Sequence, residues 1–130
     1  MVPQRFILVD DNEADNVFHE IMIRRGGFTG ELLVFEGGAE ALAFLRDDDL
    51  STPTCIFLDI NMPLMDGFEF ASEVTPLIGG RPTMLLMMLT SSDAPQDQQR
   101  AREMPVIQGF LTKPLERPVA ATLPALLEAD

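Results

Sequence analysis

Met84-Leu85-Leu86-Met87-Met88-Leu89 is apolar at every position and shows no alternation. Strands buried on both faces read this way, as they do where helices cover a parallel sheet from either side. The same short apolar type recurs toward the N-terminus at Cys55–Leu58, Leu32–Phe35 and Arg5–Val9, each bounded by polar or turn residues. Each is therefore expected to be a buried strand. Gly109-Phe110-Leu111 is a weaker fifth of the same kind.

Amphipathic stretches fill the intervals. From Glu13 to Arg25, Ala14, Val17, Phe18, Ile21 and Met22 fall at i, i+3, i+4, i+7 and i+8, one helical face predicted to turn inward, and Gly26-Gly27 ends the helix. Gly38–Arg46 carries a narrower stripe of Ala41, Leu42 and Leu45. A third helix opens at Asp66-Gly67 and runs to about Leu77, with Pro76 leaving its end open. Pro95 to Glu103 gives a short fourth, with Pro95 suited to its first turn, and Glu116 to Glu128 a fifth. Strict alternation of strand and helix implies a parallel sheet with right-handed crossovers. The predicted fold class is α/β: a doubly wound, flavodoxin-like (βα)5 domain with a five-stranded parallel sheet in order 2-1-3-4-5.

A chain of 130 residues is one domain's worth, expected to bury about two thirds of its unfolded surface. Nine basic against 21 acidic residues leave a net charge of −12, which argues against nucleic acid and anionic membrane as primary partners. Cys55 is the single cysteine, so an intrachain disulfide and a multi-cysteine metal site are excluded, in keeping with a reducing compartment. The start, Met1-Val2-Pro3-Gln4-Arg5, leads into an apolar run too short for a signal peptide or a membrane span. The expectation is a soluble cytoplasmic protein, one domain over 1–130 with no output domain.

In doubly wound sheets ligands bind beyond the carboxyl ends of the strands. There stand Asp10-Asp11-Asn12 after the first strand, Asp59-Ile60-Asn61-Met62-Pro63 after the third, Thr90-Ser91-Ser92 after the fourth and Thr112-Lys113-Pro114 after the fifth. First and third strands are neighbours in the predicted order, roughly 4.8 Å apart, so Asp10, Asp11 and Asp59 converge with Thr90 and Lys113 at their flank. Such carboxylates repel, and at least one pKa should rise. A hard dication such as Mg²⁺ would relieve them. So would Lys113, the only lysine beside eight arginines and a compact point charge rather than a planar fork.

These segments, Ile7–Asp11, Leu58–Gly67, Leu89–Ser91 and Gly109–Leu115, resemble those of the receiver domain of two-component response regulators, and the resemblance runs the length of the chain. It implies that Asp59 accepts a phosphoryl group from a histidine kinase or phosphotransfer protein. It implies that Mg²⁺ is bound by Asp11, Asp59 and the Asn61 carbonyl, with Asp10 acting through water. It further implies that Thr90 and Lys113 hold phosphoryl oxygens with Ser91 in the same catalytic set, and that Thr90 and Phe110 form the switch. Such a protein is a signalling phosphoacceptor rather than an enzyme with an external substrate. The opening Asp10-Asp11-Asn12-Glu13-Ala14-Asp15 looks most like the phytochrome-associated stand-alone regulators, beside those of chemotaxis.

Two rivals use the same residues. Haloacid-dehalogenase-type phosphatases also form an aspartyl phosphate, but they carry the nucleophile after the first strand with an aspartate two residues on. Here the nucleophile follows the third strand and the residue two on is Asn61, which cannot shuttle a proton. An unphosphorylated receiver-like adaptor would not need the full acceptor set. Outside that set, His19 reads as a solvated helix residue, Cys55 as a small buried hydrophobe, Met84, Met87 and Met88 as core, and Asp47-Asp48-Asp49 as a solvated loop. The face of the fourth helix, fifth strand and fifth helix is the expected surface for a downstream protein or a second copy. Its fifth helix offers Ala120, Ala121, Pro124 and Ala125 rather than charges.

Overall fold

The computed structural model describes residues 2–115. The predicted fifth helix, with Ala120, Ala121, Pro124 and Ala125 of the expected docking face, lies outside them. Among the described residues five strands alternate with four helices: β1 (Arg5–Val9), α1 (Glu13–Arg25), β2 (Glu31–Phe35), α2 (Gly38–Asp47), β3 (Thr54–Leu58), α3 (Gly67–Ile78), β4 (Met84–Thr90), α4 (Pro95–Arg102) and β5 (Ile107–Thr112). All strand pairs are parallel and the order is β2-β1-β3-β4-β5, as predicted. Among the described residues no helix is long and apolar enough to cross a membrane.

The alternation of side chains along each strand sorts the core onto two faces. Ile7, Val9, Ile56, Leu58, Leu86 and Met88 point to one, where Leu42 and Leu45 of α2, Phe70 and Val74 of α3 and Ala101 of α4 close over them. Phe6, Leu8, Cys55, Phe57, Leu85 and Leu89 point to the other, with Ile23 of α1 and Leu115. There Phe6 stacks on Phe57 at 5.8 Å between centroids and meets Phe28 edge-on at 4.7 Å. Cys55 is fully buried, which pushes its thiol pKa far up and makes it the inert hydrophobe expected.

Three expectations need correction. β2 is half-exposed rather than buried, because it is the edge strand and has a neighbour on one side only. Asp48 is not simply solvated. It accepts a two-pronged contact from buried Arg5 (3.3 and 2.8 Å), whose Nε also donates to Thr54 Oγ1 at 2.9 Å, and the guanidinium holds the Asp48 carboxyl below its ordinary pKa. The third concerns the rotation of α1. Its buried residues are Asn16, His19 and Ile23, whereas Val17, Phe18 and Ile21 of the apolar stripe are 54%, 39% and 41% exposed. The first turns set this rotation. Asn12 caps the helix by accepting the Asp15 N–H at 3.0 Å, and Asn16 Nδ2 donates to the Asp10 carbonyl at 2.8 Å, turning the polar face toward the strand ends.

Candidate functional site

Strand register builds the site. Val9 pairs with Leu58, so Asp10 and Asp59 leave adjacent strands side by side, each still held by the ladder: Asp10 N–H donates to the Phe35 carbonyl and Asp59 N–H to the Val9 carbonyl, both at 3.0 Å. On the other flank Thr90 pairs with Thr112, and the next residue, Lys113, donates its N–H to the Thr90 carbonyl at 2.8 Å. The Lys113-Pro114 peptide is cis. Gly67, at the start of α3, closes the turn after Asp59 by donating to the Ile60 carbonyl at 2.8 Å. A Cβ there would lie 2.4 Å from the Asp59 carbonyl oxygen, so only glycine allows this approach.

Asp10, Asp11 and Asp59 offer oxygens all within 4.8 Å of one another. Asp10 and Asp59 are buried and Asp11 is exposed. Lys113 Nζ stands 2.7 Å from Asp10 Oδ2 and 3.4 Å from Asp59 Oδ2. Burial would lower the lysine pKa, but the Asp10 and Asp15 carboxylates outweigh it and keep the ammonium charged. Burial raises the Asp10 pKa and the Asp59 charge adds to it, against the pull of Lys113 and of the Asn12 N–H. The rise on Asp10 therefore comes chiefly from burial, with carboxylate repulsion a smaller part of it. Thr90 is fully buried, Ser91 and Asn61 are exposed at the rim, and Phe110 is partly buried against the core.

This donor set suits a hard dication. Its oxygens are carboxylate, and Asp11 makes no ion pair among the described residues. Asp10 is already engaged on both oxygens, Oδ1 by the Asn12 N–H at 2.9 Å and Oδ2 by Lys113, which fits contact through water rather than directly.

The sequence reading missed three residues of α1. Asp15 accepts from Lys113 Nζ at 2.7 Å, Asn16 fastens the Asp10 backbone, and His19 is only 2% exposed. His19 lines a small cavity with Asp10, Asn16, Phe57, Asp59 and Leu89, so its expected solvation is overturned. The spacing Asn12, Asn16, His19, Ile23 marks one helical face and was the available signal. Burial lowers the His19 pKa below its ordinary 6.5, with the Lys113 charge acting the same way and Asp15 and Asp59 opposing. Folded His19 therefore protonates at lower pH than the unfolded chain does. Its contribution to stability is complete above about pH 6.5 and is lost as pH falls through the lowered value. Urea unfolding at about pH 7.5 and pH 5.5 should show a loss of at most about 1.4 kcal/mol per pH unit from this group, absent in His19→Gln. Equal slopes in the two proteins would refute it.

Fold and site together define a doubly wound α/β domain with an acidic, lysine-centred site at the strand ends. Comparison with known proteins supplies the family. The family model of the response regulator receiver domain matches residues 6–122. The probable methanogenesis regulatory protein FilR2 of Methanothrix harundinacea is 32% identical over 118 residues, covering 87% of this chain and 74% of that protein. The sensor histidine kinase CheAY of Helicobacter pylori is 32% identical over 108 residues, 83% of this chain but only 13% of the kinase. The crystal structure of a response regulator receiver protein from Dyadobacter fermentans superposes with a TM-score of 0.84 at 31% identity, covering 95% of this chain and 97% of the other. The chain belongs to the response regulator receiver domain family.

Proposed function

We propose that this receiver accepts a phosphoryl group on the Asp59 carboxylate from the phosphohistidine of a kinase or phosphotransfer protein, and that a protein partner reads the change. The observation that carries this reading is the seat of Asp59: a buried carboxylate beside Asp10 and Asp11, with the Lys113 ammonium 3.4 Å away. An Asp59 oxygen forms the new bond to phosphorus as the phosphorus–nitrogen bond of the donor breaks, and the electron pair leaves with the imidazole nitrogen. Transfer of this kind passes through a loose transition state, so the protein mainly positions groups and neutralises charge. Lys113 and the Thr90 hydroxyl donate to phosphoryl oxygens, with Ser91 beside them at the rim. Mg²⁺ held by Asp11, Asp59 and the Asn61 carbonyl, with Asp10 acting through water, supplies further neutralisation of those oxygens when bound. Thr90 drawn toward the phosphoryl group, and Phe110 moving into the space vacated, shift the population toward a signalling state. The chain acts on its own carboxylate rather than turning over an external substrate.

Acetyl phosphate with Mg²⁺ should add one labile phosphoryl group to the protein. Asp11→Ala should lose both metal binding, followed by titration calorimetry, and labelling. Labelling undiminished in EDTA would refute the metal's role, and failure to label the native chain under any divalent ion would refute the phosphoacceptor reading.

A further inference from the structure

Asp15 is outside the acceptor set, yet it touches that set directly. It lies in the first turn of α1, where its N–H is fixed by the Asn12 cap at 3.0 Å. Its carboxylate, 38% exposed, meets Lys113 Nζ at 2.7 Å, as close as Asp10 comes and closer than Asp59. A lysine ammonium has three N–H donors and no acceptor. Here three carboxylates surround it, Asp10 and Asp15 at 2.7 Å and Asp59 only at 3.4 Å, so a phosphoryl oxygen arriving at Asp59 competes for the ammonium with two close anionic partners. A close approach of that oxygen to Lys113 is eased if one of the two gives way.

The three are not equally held. Asp10 is 7% exposed and fixed through Oδ1 by the Asn12 N–H, so releasing the lysine would leave a buried charge without its cation. Asp59 is the group that carries the phosphoryl. Asp15 stands at the water's edge, and among the described residues Lys113 is its side chain's only polar contact. Turning it into solvent costs least.

We propose that Asp15 is a displaceable counter-ion of Lys113: it holds the ammonium in the unphosphorylated protein and yields its place to a phosphoryl oxygen, so that it raises the threshold for phosphorylation. The proposal rests on the phosphoacceptor reading and adds to it a positioning residue on α1. Once displaced, the Asp15 carboxylate remains near the phosphoryl group as a like charge. It therefore opposes occupancy both by competing for Lys113 and by repulsion.

The single lysine of the chain makes this measurable. With lysine labelled at Cε, one resonance reports Lys113. Asp15→Asn, which keeps the shape and removes the charge, should move that resonance in the free protein. In protein loaded with beryllofluoride and Mg²⁺, a mimic of the phosphoryl group, native and Asp15→Asn resonances should coincide, because the contact is then broken in both. The variant should bind beryllofluoride about 2- to 5-fold more tightly, with the gain shrinking as salt is raised. Asp15→Glu, which restores the charge, should return affinity and resonance toward the native values. Identical resonances in the free proteins, a difference that persists undiminished in the loaded state, or unchanged affinity would each overturn the displacement. If neither protein binds beryllofluoride, the phosphoacceptor reading fails and takes the displacement with it. Binding without the predicted differences removes the displacement alone.

Discussion

Asp59→Asn should abolish labelling by acetyl phosphate, a fall of at least about a hundredfold, while leaving the protein folded. An amide oxygen is a poor nucleophile toward phosphorus, and the acyl phosphate cannot form on it. The substitution is otherwise mild. The Asp59 Oδ1 that accepts the Ile60 N–H at 2.9 Å is replaced by an amide oxygen that accepts it equally well. The charge removed is one that pushes the Asp10 pKa up, so its loss relieves repulsion inside the cluster, and the variant should be at least as stable as the native chain. Mass spectrometry of intact protein under native and denaturing conditions reads both points together. A phosphoryl group of normal yield on the variant, at Thr90 or elsewhere, would move the acceptor away from Asp59. A variant that fails to fold would show instead that the Asp59 charge is structural, a result the crowding of Asp10 and Asp11 argues against.

The central part of this arrangement was legible in the sequence because parallel sheets translate sequence into space directly. Once Cys55–Leu58 and Arg5–Val9 are adjacent buried strands, the residues that follow them must meet, and Asp10, Asp11 and Asp59 do. The same logic placed Lys113 after the last strand and against the cluster. Helix rotation was harder. On α1 two faces competed: the apolar one through Val17, Phe18 and Ile21, and a polar one through Asn12, Asn16 and His19. Hydrophobicity alone favours the first. A cap at Asn12 and the bond from Asn16 to the Asp10 carbonyl decided for the second, and those depend on where the end of β1 lies in space. Asp15 and His19 were missed for this one reason. Arg5 and Asp48 illustrate a related limit. Asp48 looks like a loop charge in sequence, but its pairing joins residues 43 apart and follows from Arg5 beginning a central strand.

Removing the lysine charge should have the largest effect on stability. In Lys113→Met the side chain keeps its length, but Asp10 and Asp59, both largely buried, lose the cation that sits 2.7 and 3.4 Å from them. Stripping one partner from a buried ionic group costs about 3 kcal/mol or more, because the charge left behind is neither solvated nor paired. The loss should depend on pH in a defined direction. Burial already raises the Asp10 pKa above 3.8, and the Lys113 contact is the larger of the two hydrogen bonds that restrain the rise. Without it the folded variant holds the Asp10 proton at still higher pH than the unfolded chain does. The variant's deficit against the native protein should therefore be greatest near neutrality and shrink as pH falls through that raised value, becoming small near about pH 4. Mg²⁺ should relieve the same repulsion from outside, so the melting temperature of Lys113→Met should rise more steeply with Mg²⁺ than that of the native chain, where the ammonium competes for the carboxylates. Lys113→Arg keeps the charge but spreads it over a planar fork, and should recover most of the stability without the compact contact that a phosphoryl oxygen requires. Labelling with acetyl phosphate should separate the two roles: weak in both variants despite the stability regained in the arginine form. If Lys113→Met matched the native chain in stability at neutral pH, or if its deficit did not change with acid or Mg²⁺, the lysine would not be what holds these carboxylates together.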